Sequence, residues 1–179
     1  MSAARTQFTP VQRALHWLMA VCLLAMLFIG IGMVSTIEPI YLTLVSIHKP
    51  LGVVILLLAL VRVTVRLRRG APPLPAAMPE PMKLAAHLSH LAFYGLMIAM
   101  PLLGWAMLSA ADFPVIVAGM ALPRIVPIDA SLHSMLWNAH RFLALCFFAL
   151  ILLHLAAALY HALVRRDGVF ESMAGGRID

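Results

Sequence analysis

Four long apolar runs, at 15–34, 47–65, 84–111 and 135–164, limit what this 179-residue chain can fold into. Each is near or above the ~20 residues a helix needs to cross a ~30 Å hydrocarbon core. In hydrocarbon every backbone N–H and C=O must find its partner inside the chain, so runs of this length become spanning helices. The charge content agrees: 11% of the residues are charged, where a soluble domain carries roughly 25%. The expected fold is all-α and integral to a membrane. It is a single four-transmembrane-helix bundle covering residues 1–179, with spans at about 12–34, 47–67, 84–110 and 134–164. Arg62 falls near the end of the second span, where a long side chain snorkels to the headgroups. The first run is longer than the 7–15-residue core of a signal peptide and leads into STIEP without a small-residue cleavage site, so it reads as a true span.

A formal net charge of +6 does not imply nucleic acid here, because the charges follow the spans. Arg5, Arg13, Arg62, Arg66, Arg68, Arg69, Lys83, Arg165, Arg166 and Arg177 flank one side of a four-span arrangement, and only Lys49, Arg124 and Arg141 the other. Positive residues collect on the cytoplasmic side, so both termini are expected there. A basic rim also meets anionic lipid favourably. Cys22 and Cys146 both fall in apolar runs, which implies no disulfide framework.

Five prolines between 71 and 81 make that stretch an extended cytoplasmic linker. Pro50, in IHKPLG, suits the first turn of the second helix, and Pro101 interrupts the third. Gly30 and Gly32 read as close helix packing. The stretch 112–133, with Pro114, Pro123 and Pro127, reads as a cover over the outer end.

The last run carries the chemistry. His133, His140, His154 and His161 share one heptad frame, broken only by Phe147. His140 and His154 stand about 40° short of four full turns apart, hence on one face, and about 21 Å apart along the axis. Polar groups inside a membrane are costly and usually mark function. Bis-histidine ligation of haem iron leaves no open position and suits electron transfer. It needs two imidazoles facing each other at one depth. His133 and His161 would be about 42 Å apart, too far for a ~30 Å core, whereas His140 and His154 fit. The first span offers His16 near its inner end and the second His48 near its outer end. The expected pairs are His16 with His154 around an inner haem b, and His48 with His140 around an outer haem b. Zinc prefers four ligands converging on one point, which histidines spread through the membrane do not supply. A proton relay would call on acidic residues, and the spans contain none.

Together HW in the first span, IHKPLG in the second, AHLSH in the third, and NAHR and LLHLAAALYH in the fourth resemble the bacterial cytochrome b561 family nearly end to end. The resemblance implies a protein of the bacterial inner membrane with two haems b on the four histidines named above. It is most like the short family members that pass electrons from periplasmic superoxide to ubiquinone. Another branch carries electrons between a soluble redox partner and quinone. Lys49 and Arg141 each follow a proposed outer ligand and are candidates for steering superoxide, although Glu38, Asp112 and Asp129 share that surface. His161 lies about 10 Å inward of His154, level with His87, His90 and Lys83, and all four are candidates for contacts to quinone or to a haem propionate. A bundle without cofactor would leave four intramembrane histidines unexplained.

Overall fold

The computed structural model describes residues 6–37 and 39–175. Arg5 and Arg177 of the basic rim, and Glu38 of the first outer loop, lie outside the described residues. Four long helices alternate in direction: α1 Pro10–Ser35, α2 Ile40–Arg69, α3 Glu80–Ala110 and α4 Ala130–Leu159. α4 continues through a π-helical segment, Tyr160–Arg165, into a short α5, Val169–Ala174. Four helices, the last counted through Arg165, are long and apolar enough to cross a membrane. The α3–α4 connection holds an antiparallel hairpin, β1 Ile116–Val117 with β2 Met120–Ala121. Its two turn residues, Ala118 and Gly119, both have positive φ, as a tight two-residue hairpin turn requires.

Local chemistry sets the helix ends. Thr9 and Gln12 form a capping box, with Pro10 in the first turn. The buried Gln12 amide also donates to the Gly70 carbonyl at 2.8 Å, which ties the start of α1 to the end of α2. Arg66, Arg68 and Arg69 fill the last turn of α2, where cations meet the helix dipole favourably. The Asp129 carboxylate accepts from the Leu132 N–H at 2.8 Å and caps α4.

Three helix starts differ from expectation. α3 begins at Glu80 rather than 84, so Pro81 lies in its first turn and the linker ends at 79. α2 begins at Ile40 rather than near 47, and the Pro39 carbonyl already accepts from Leu42 N. Pro50 therefore sits inside α2, not in its first turn. There it withholds one backbone hydrogen bond from the helix. α4 begins at Ala130 rather than 134, since Asp129 is the capping residue, and His133 is thereby helical.

The tightest packing is α1 on α2 and α3 on α4, with α2 on α3 joining the pairs. The buried core draws Met19 from α1, Ile55 and Ala59 from α2, Met97 from α3 and Phe147 from α4. Phe147, the one apolar member of the histidine frame, lies with its ring 5.9 Å from that of Phe93. Large apolar side chains such as Phe28, Leu145 and Leu153 are exposed on the outside, as a lipid-facing surface requires. A Cβ on Gly32 would meet Leu44 at 2.9 Å, whereas Gly30 has no neighbour within 4 Å. Of these two glycines, helix packing therefore uses Gly32.

One end of the bundle, here the terminal end, carries the N-terminal segment, the 71–79 linker and α5; the other is the hairpin end. Phe8 N–H donates to the Ser172 carbonyl at 3.1 Å, so α5 folds back beside the start of α1. Asp167 holds the turn between the π segment and α5, accepting from His161 Nδ1 at 2.9 Å and from Arg165 Nε at 3.0 Å. Partial burial works upward on the Asp167 carboxyl, and the hydrogen bonds from His161 and Arg165 outweigh it, so its pKa lies below the usual range. Eight of the ten basic residues assigned to the inner rim are described, and they belong to the terminal end; Lys49, Arg124 and Arg141 belong to the hairpin end.

Candidate cofactor site

At the hairpin end, α2 and α4 bring His48 and His140 face to face with ring centroids 6.3 Å apart and ring planes at 66°. The Nδ1 atoms of both rings are buried and have no hydrogen-bond partner among the described residues. A buried polar atom without a partner costs on the order of 1–3 kcal/mol, so neither ring is accounted for by a structural hydrogen bond at Nδ1. Gly104 of α3 backs His140, and a Cβ there would stand 3.3 Å from its Cε1. The sequence reading missed this glycine, because a lone glycine in an apolar run signals nothing about which ring it will face.

At the terminal end, His16 of α1 and His154 of α4 stand with centroids 6.2 Å apart and planes at 69°. His90 of α3 lies 6.1 Å from the same His154 ring, and Phe93, one turn along α3, lies 5.0 Å from it. Arg62 of α2 reaches inward, and its Nη2 is 3.0 Å from His16 Nδ1. The arginine expected to snorkel outward thus turns into the bundle.

The geometry can be tested against a bound metal. With a metal–imidazole bond of about 2.0 Å on each side and a ring centroid roughly 1.1 Å behind each nitrogen, two axial imidazoles hold their centroids roughly 6.2 Å apart. The His48–His140 and His16–His154 separations both fit. In each case the two rings come from different packed pairs, α1–α2 on one side and α3–α4 on the other. His90 and His154 belong to the same pair, and a macrocycle between them would have to part α3 from α4. No group of three or more His, Cys, Asp or Glu converges as a metal site of its own among the described residues.

Other candidates have nearer partners. His133 Nδ1 bonds the Met107 carbonyl at 2.9 Å and stitches α4 to α3. Lys83 pairs with Glu80 at 2.8 Å, and His87 Nδ1 bonds the Lys83 carbonyl at 2.6 Å. Both are thus engaged within α3. His161 is buried, sits in the π segment and is held by Asp167, a partner that the sequence reading left unassigned. π segments inside helices are frequent at functional sites. Lys49 Nζ reaches the Pro114 carbonyl at 3.5 Å, and Arg141 is exposed. Arg124 of the covering loop is paired with Asp112 at 2.7 Å.

Comparison with known proteins adds an independent line. The sequence profile of the prokaryotic cytochrome b561 family matches residues 7–176. The chain is 34% identical over 128 residues to the probable superoxide oxidase CybB of Yersinia pestis, covering 71% of this chain and 72% of that protein. It is 30% identical over 169 residues to cytochrome b561 homolog 2 of Escherichia coli strain K12, covering 92% and 89%. Cytochrome b561 homolog 1 of the same organism is 25% identical over 175 residues.

Proposed function

We infer function from one fact: the chain belongs to the prokaryotic cytochrome b561 family. It is therefore a haem b-binding protein of bacterial membranes that works in electron transfer. Beyond this we propose that it binds two haems b, one between His16 and His154 and the other between His48 and His140, and acts as a superoxide:ubiquinone oxidoreductase in the inner membrane. The observation that carries the proposal is the repeat of one ring separation, 6.2 and 6.3 Å, at two levels of α4. Haem b ligated by two imidazoles supplies one-electron oxidation and reduction without an open position for oxygen.

In the overall reaction two superoxide anions each lose one electron and leave as O2. One ubiquinone takes the two electrons and two protons to become ubiquinol. The protein's own groups divide this work by level. The basic bias of the terminal end favours placing it in the cytoplasm, so the hairpin end meets periplasmic superoxide. There Lys49 and Arg141 raise the local positive potential that draws an anion. Between the levels, the apolar core around Phe147 excludes water. At the terminal end His161, its imidazole oriented by Asp167, is a candidate for contact with the quinone head, as are His90, His87 and Lys83 for quinone or propionate contacts.

A second reading is an electron carrier for a partner dehydrogenase or soluble cytochrome. It has its own support, since the match to a relative named only as a cytochrome b561 homolog covers more of the chain than the match to the probable superoxide oxidase. The two readings separate in one experiment. The purified cytochrome is given superoxide and ubiquinone with no other protein, and quinol is measured. The oxidoreductase reading expects quinol in a 1:2 ratio to superoxide consumed. If none forms, the carrier reading stands.

A further inference from the structure

A cleft opens at the terminal end between α1, α2, α3 and α5, with Phe8 and Met173 among its lining residues. Arg62, Arg66, His90 and Tyr94 line its walls. Arg62 lies against the Tyr94 ring, 5.8 Å from the centroid, and Arg66 lies 5.6 Å from the centroid of Phe8. Neither guanidinium forms an ion pair among the described residues, where the pairs are those of Lys83, Arg124, His161 and Arg165. Two permanent cations therefore face a space lined by no carboxylate among the described residues. Charges at membrane depth are normally paired, so the missing partner is an anion.

The contact with His16 shows which anion. A guanidinium has five donors and no acceptor, so His16 Nδ1 must accept from Arg62 and its ring proton sits on Nε2. If iron binds Nε2, a neutral imidazole keeps its proton on Nδ1 and no longer accepts from Arg62. If iron binds Nδ1, it takes the place of Arg62 directly. In both cases ligation frees Arg62 to find another acceptor, and haem brings carboxylates with it.

We propose that Arg62, with Arg66 and His90, forms a carboxylate-binding site for a propionate of the haem held by His16 and His154, Arg62 leaving His16 for the propionate as the haem is loaded. The inference rests on the two-haem reading above. Arg62 is a positioning residue in this account: it holds the cofactor's edge and places a positive charge beside it, which favours the reduced haem.

The test is a potentiometric titration of the holoprotein in phosphatidylcholine nanodiscs, after haem per chain has been counted. Arg62→Gln should lower the midpoint of the inner haem alone. At fixed ambient potential its oxidised-to-reduced ratio should rise by about tenfold or more. Arg62→Lys should recover most of the change, and Arg66→Gln should shift the same haem in the same direction by less. Loss of the inner haem in Arg62→Gln with its return in Arg62→Lys would also support the site. If Arg62→Gln does not accumulate, Arg66→Gln carries the test with the same sign.

An unchanged inner midpoint with both haems bound would overturn the proposal. So would a raised midpoint, since that means Arg62 stays on His16 and stabilises it as an imidazolate ligand. A shift seen only in nanodiscs containing phosphatidylglycerol would assign the oxyanion to a lipid headgroup instead and refute the propionate. A wild-type protein with one haem per chain refutes the two-haem reading itself, a result distinct from all of these.

Discussion

Gly104 offers the sharpest test of the outer site, because nothing but its proximity to His140 marks it. In Gly104→Ala the new methyl carbon would stand 3.3 Å from Cε1 and 3.6 Å from Nδ1 of His140. Ordinary carbon contacts lie at about 3.5–4.0 Å, so the ring must retreat by a few tenths of an ångström. Metal–ligand distances hold only within about 0.2 Å, and the His48–His140 separation of 6.3 Å leaves no slack. Alanine should therefore leave the outer haem bound with a shifted α-band and weaker retention. Valine, with two γ-carbons and a stiff χ1, should expel it, halving haem per chain while the inner haem keeps its spectrum. The assay is pyridine haemochrome stoichiometry with reduced-minus-oxidised spectra, and Gly30→Ala, which meets no atom within 4 Å, is the control. Two haems with unchanged spectra in Gly104→Val would show that Gly104 does not abut the outer haem's ligand, since a ligating His140 could not tolerate that intrusion.

His48→Ala and His140→Ala should each remove the outer haem and roughly halve the Soret absorbance per protein, whereas two retained haems would break the pairing. A reporter fused after Asp179 should read cytoplasm and one inserted at Asp112 periplasm; the reverse would exchange the donor and acceptor ends. Neutralising Lys49 and Arg141 together should slow reduction by superoxide and flatten its fall with salt, because screening acts on steering of an anion. Asp167→Asn should lower the thermal midpoint in detergent. The depressed pKa of Asp167 means its contribution is present above the unfolded value of about 4 and is lost as pH falls through the folded value. The gap between variant and wild type should accordingly close in acid; a constant gap would show that the charge on Asp167 does not matter.

Hydropathy alone located the four spans, because backbone desolvation in lipid leaves a run such as 135–164 few alternatives to a helix. It did not locate helix starts: Asp129 caps α4 at Ala130, and α2 starts at Ile40, both earlier than the apolar runs do. Rise per residue suggested which rings could meet, and the structure brings His16 near His154 and His48 near His140. What stayed hidden was lateral. Gly104 behind His140, Arg62 against His16 and His90 beside His154 are contacts between helices, and a one-dimensional pattern carries helix rotation only where it repeats. Equally hidden were the local partners of Lys83 and His87, which are Glu80 and the Lys83 carbonyl.

The central claim is that one face of α4 serves two bis-histidine haems at separate depths. Haem counting combined with low-temperature EPR on the oxidised, purified protein tests it most directly. Two haems b per chain are expected, both low-spin, with His16→Ala and His48→Ala each removing a different one of the two signals. One haem per chain, a high-spin signal in the wild type, or the same signal lost in both variants would contradict it.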